Sequence, residues 1–123
     1  MHRYDPEQTP NAGEWLALDE QERIDLVAKY HRLARIGMPS VKMHASIHAV
    51  IENQVAEGHE PVVRAMKRLT SAGLSRHDAV HAIGSVLAEH IFEVLHEAPP
   101  DGDPMVNYDA AVERLTADTW LRG

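Results

Sequence analysis

The chain contains no cysteine, which excludes disulfides and thiolate metal ligands alike. It is short of positive charge, with 12 Lys and Arg against 19 Asp and Glu and a net charge of −7 with histidine neutral. That balance argues against a nucleic-acid partner or an anionic membrane surface, each of which needs clustered cations. No apolar run is long enough to span a bilayer. The opening residues, Met1 to Pro6, lack the apolar core of a signal peptide, so a cytoplasmic protein is expected. No strand-period alternation is visible, and no nucleophile motif, glycine-rich phosphate loop or nucleotide fingerprint. Whether the chain is an enzyme is therefore open, and no catalytic residue is assigned.

What remains is an ordinary globular composition with one excess. At 123 residues, 44% hydrophobic and 25% charged, the chain is long enough for one domain with a sizeable core. Histidine is the excess, at nine residues against three Tyr, two Trp and one Phe. Five of the nine (His31, His44, His48, His77 and His81) fall on apolar stripes of helical period.

Start and stop signals divide the chain into helices. Residues 1–18 read as an arm with a short turn, which Asn11 caps with Glu14 three positions on. Asp19 and Glu22 repeat that box and open a helix over about 20–36, ended by Gly37 and Pro39. Ser40 caps a second helix that runs to Glu57, and Pro61 suits the first turn of a third, closed by Gly73. Ser75 and Asp78 open a long fourth helix that Pro99 and Pro100 terminate. Its two apolar stripes mark it as the most buried element, and Gly84 with Ala88 suggests close approach of another helix. After a turn-rich linker, Asn107 is read as the cap of a last helix carrying Tyr108, Val112, Leu115 and Trp120. The expected fold is an all-α single-domain bundle: four main helices over 19–98, with 99–123 supplying a linker and a C-terminal helix.

Short connections favour antiparallel neighbours, which would set the second and fourth helices parallel and starting at one end. At ~1.5 Å per residue, His44 and His48 then lie ~6 and ~12 Å along one helix, and His77 and His81 lie ~3 and ~9 Å along the other. His31, near the end of the first helix, falls at the same level. Each His-x3-His pair presents its rings on one face, so two pairs supply up to four imidazole nitrogens to one ion. Imidazole suits a divalent transition metal: Zn, Fe, Ni, Co or Cu. Neutral ligands leave a double positive charge, so a carboxylate is expected nearby. Spacing favours Glu52, one turn after His48, whereas Glu89 sits two turns past His81 and better suits a supporting hydrogen bond. Tyr30 and Gln54 are weaker supporting candidates, and His59, His90 and His96 are expected to be structural or exposed.

From Trp15 to about Phe92 the chain resembles a bacterial family catalogued as domain of unknown function 1841. The likeness rests on His44-x3-His48 followed by Gln54, and on His77-Asp-Ala-Val-His81-Ala followed by Glu89. The resemblance implies paired histidines on two helices and favours Glu89 as the matching acid. It brings no reaction.

Three functions compete at this point. One is a metalloprotein whose ion activates water or dioxygen with Glu89 or Glu52 as base, including a hemerythrin-like di-iron variant. The second is a metal-binding module for storage, delivery, sensing or structural support. The third is a metal-free structural or interaction protein with a buried His and Glu cluster. Homo-oligomerisation is left open.

Overall fold

The structure is a computed structural model describing residues 3–33, 41–96 and 103–122, of which 31–33, 41, 42, 96 and 122 are described by their backbone alone. Its helices are α1 (Ala12–Ala17), α2 (Glu20–Leu33), α3 (Val41–Ala56), α4 (Glu60–Ser71), α5 (Arg76–His96), α6 (Pro104–Arg114) and α7 (Ala117–Arg122). No strand occurs among the described residues, and none of their helices is long and apolar enough to cross a membrane.

Helix starts follow the side chains that can satisfy the first free N–H groups. The Asn11 side chain accepts from the Glu14 N–H. Asp19 and Glu22 form both halves of a capping box, at 2.8 and 3.2 Å. Ser75 Oγ accepts from the Asp78 N–H. Gly58 and Gly73, which follow α3 and α4, hold φ of 72° and 106°, a backbone region costly for other residues.

The C-terminal segment departs from expectation. Asp103 rather than Asn107 caps α6, accepting from the Met105 N–H at 2.8 Å. Pro104 explains the earlier start, since its fixed φ and missing donor suit the first helical position. The expected single last helix is two, because Leu115 turns extended and Thr116 recaps the chain by accepting from the Thr119 N–H. Trp120 therefore rides on the separate α7.

Two apolar clusters form the core, and α3 contributes to both. Ala45 and Ala49 pack with Tyr4, Trp15, Val27 and Ala28 on one side. Ile51 packs with Val62, Leu69, Val80, Ile83, Tyr108 and Val112 on the other. Helix α5, expected to be the most buried, is so only in its first half. Beyond Leu87 it exposes Ile91, Phe92, Val94 and Leu95, the last at 71%.

The relation of α3 to α5 also differs from the parallel pairing expected. His44 meets His81, His48 meets both His81 and His77, and Glu52 meets Arg76. Moving forward along this seam of α3 thus moves backward along α5. The cause lies in α4, which packs mainly on α5 and α6 rather than lying flat along α3. A helix that leaves the layer of its predecessor does not transmit the alternation on which the parallel expectation rests.

Candidate metal centre

Four imidazoles gather where α3 crosses α5. His44 and His48 lie one turn apart on α3, and His77 and His81 one turn apart on α5, so each pair stacks on one face. Ring centroids are 4.5 Å apart for His44–His48, 4.6 Å for His44–His81 and 4.5 Å for His48–His81. His77 closes a second triangle on the His48–His81 edge, at 5.3 and 4.5 Å.

The two triangles are not equivalent. One ring nitrogen from each of His44, His48 and His81 lies within 4.8 Å of the other two, so these three could hold one metal ion. His77, expected as a fourth ligand, is outside that group. Its ring stands edge-on to Tyr30 at 5.6 Å instead. His48 is 1% exposed, with both ring nitrogens sealed from solvent. His44 and His81 are half-buried, and their Nε2 atoms are hydrogen-bonded at 2.9 Å, one ring donating to the other. Two nitrogens on a tetrahedral zinc, with bonds near 2.0–2.1 Å, stand ~3.3 Å apart. Opening this pair by a few tenths of an ångström converts the hydrogen bond into two ligand bonds.

Helices α3 and α5 come this close because of Gly84. A Cβ at that position would meet Ile47 Cγ2 at 3.1 Å, so a glycine here lets the backbones approach, as the sequence suggested. The same small residue opens a cavity of about 130 Å³, lined by His44, Ile47, His48, His81, Gly84, Ser85 and Ala88. A larger apolar groove of about 250 Å³ lies between α5 and α6, with Tyr108, Ile91 and Leu95 in its wall. The smaller cavity is the chemical one, because metal-competent imidazoles line it.

Neither candidate carboxylate joins the histidines. Glu52, with a wholly buried side chain, accepts from the Tyr4 hydroxyl at 2.6 Å and from both Arg76 terminal nitrogens at 2.7 Å. Burial above all, then the charge and hydrogen bond of Glu52, push the Tyr4 pKa far above its ordinary value. For Arg76, burial works against the charge, but hydrogen bonding to Glu52 and its negative charge outweigh it and hold the pKa up. Glu89 is exposed and lines a separate cavity with Leu115, Thr119 and Trp120. The His31 and His96 side chains lie outside the described residues. Gln54 accepts from the Tyr108 hydroxyl at 2.7 Å. His59 pairs with Asp109 at 2.8 Å, and His90 Nδ1 lies 3.0 Å from the Val86 carbonyl oxygen.

Three residues that sequence reasoning passed over surround the site. Tyr4 reaches Glu52, the Pro6 carbonyl accepts from Arg76 at 2.8 Å, and Glu7 accepts from the His77 N–H at 2.6 Å. The arm, read as irregular, is thus fastened to the start of α5. A signal did exist: Arg76 is a cation in the first turn of a helix, where the macrodipole disfavours it unless an acid compensates.

Comparison with family models, with curated proteins and with solved structures finds no match for the chain.

Proposed function

We propose that this protein binds one divalent first-row transition metal ion (Zn, Fe, Ni, Co or Cu) through His44, His48 and His81. The convergence of three ligand nitrogens from two helices within 4.8 Å is the observation that carries the reading. His77 packs against His48 and His81 and restricts their rings. We further propose kinship with the domain of unknown function 1841, on the two His-x3-His pairs alone. Three protein ligands leave a fourth position, the arrangement of a site open to an exogenous ligand rather than a closed structural one.

Metal content of protein prepared without an affinity tag tests the reading. Near-stoichiometric metal, lost in His48→Ala and His81→Ala and retained in Glu89→Ala, is the expected result. Protein that takes up no Zn, Co, Ni, Cu or Fe refutes it.

One observation favours a metal-free alternative: the His44–His81 hydrogen bond already gives two half-buried rings a partner. In that case the cluster is a polar core, and added metal leaves the unfolding midpoint unchanged. A hemerythrin-like di-iron centre is disfavoured, because Glu52 is committed to Arg76 and Tyr4 while Glu89 faces a different cavity.

A further inference from the structure

We infer that the fourth coordination position of this site faces the cavity beneath Gly84, Ser85 and Ala88 and takes a small monodentate anion, such as hydroxide or a pseudohalide. The inference rests on the three-histidine reading above and adds to it the direction and chemical class of the exogenous ligand.

Position comes first. The cavity is walled by all three of the convergent histidines and does not include His77, which meets His48 and His81 outside the convergent group. An ion centred among the three rings therefore has its open side on the cavity, with Ile47, Gly84, Ser85 and Ala88 forming the rest of the wall. At about 130 Å³ the cavity has room for a ligand of a few non-hydrogen atoms and not for a metabolite-sized substrate.

Charge decides the ligand class. Three neutral imidazoles, one buried and two half-buried, leave the double charge of the ion unbalanced, and among the described residues the convergent group contains no carboxylate. Among the described residues the one buried acid is Glu52, and Arg76 neutralises it through two contacts of 2.7 Å. A cation so placed lowers the pKa of bound water and favours anions over neutral ligands of equal size.

The experiment uses the full chain loaded with Co(II), whose visible d–d bands report coordination, titrated with sodium azide. Saturable, one-to-one spectral change is expected. Ala88→Leu and Ser85→Leu, each adding bulk to the cavity wall, should keep cobalt stoichiometry and helical circular dichroism. Both should weaken azide by roughly tenfold or more, the scale of one obstructing group in a shaped pocket. Cobalt bound normally but blind to azide overturns the inference and leaves the metal reading intact. Azide response that appears only in His77→Ala also overturns the inference, because that ring would then hold the fourth position. Unchanged azide affinity in both leucine variants overturns the assigned direction. Absence of cobalt uptake overturns the metal reading itself, and the inference with it.

Discussion

Replacing Arg76 by Met should be among the most damaging single changes available to this protein. The Glu52 side chain is fully buried and receives three hydrogen bonds, two from Arg76 at 2.7 Å and one from Tyr4 at 2.6 Å. Arg76→Met removes two of the three and leaves a carboxylate with its charge uncompensated. Breaking a buried pair from one side costs about 3–5 kcal/mol. The bond from Arg76 to the Pro6 carbonyl adds about 1 kcal/mol. Against a total stability of about 5–15 kcal/mol, this is roughly a quarter of the whole or more.

The same reasoning orders a series of variants. Glu52→Met added to Arg76→Met removes the stranded charge, so the double variant should be more stable than Arg76→Met alone. What remains is the Tyr4 hydroxyl without its acceptor, a cost of about 1–3 kcal/mol. Tyr4→Phe on top should recover part of that. Urea denaturation followed by circular dichroism and Trp fluorescence measures each step, Trp15 being fully buried. Arg76→Met costing less than about 1 kcal/mol would refute the picture, since that is the scale of an exposed ion pair. Strictly additive losses in the double variant would refute it equally.

Three further outcomes are expected. Zinc at one hundred times its dissociation constant should stabilise the fold by about 2.7 kcal/mol, and His44→Ala should abolish the effect; calorimetry with and without chelator reads both. Stability should fall as pH rises above about 10, because Tyr4 and Tyr108 ionise readily in the unfolded chain, whereas burial, with Glu52 in one case and Asp109 in the other, holds them protonated when folded. The loss amounts to about 1.4 kcal/mol for each tyrosine one pH unit above that value, measured by denaturant titration across pH 9 to 11, and a flat profile would contradict the buried hydroxyls. Gly84→Ala gains about 1 kcal/mol of helix propensity but presses its Cβ on Ile47 Cγ2, so it should stabilise an Ile47→Ala background, which lacks that methyl, more than the wild type.

Much of the site was legible because it depends on local periodicity. His44, His48, His77 and His81 fall on stripes that any helix through those residues must present together, whatever the sense of crossing. Gly84 announced close approach for the same reason, as a residue weak in a helix and useful only where another backbone comes near. The sense of the crossing was not legible. Loop lengths constrain consecutive helices, and the link from α3 to α5 passes through α4, whose packing against α6 depends on contacts such as Arg68 with the Leu115 carbonyl, 47 positions apart.

The carboxylate shows how far local spacing reaches. Glu52 lies one turn past His48 on the same row of α3, so spacing alone makes it a ligand. Its actual partners are 24 and 48 positions away in the chain, Arg76 and Tyr4. Row position says which face a residue shares, while the opposed run of α5 decides what lies across from it. Had α5 run parallel to α3, its histidine end would have stood beside the start of α3 and Arg76 would have been out of reach of Glu52. In the observed crossing the first turn of α5 reaches Glu52, and the arginine takes the acid before an ion can. The same topology thus leaves the convergent group of three imidazoles, among the described residues, with no carboxylate as a member, and the proposed metal reading then has an anion from solution supply the negative charge.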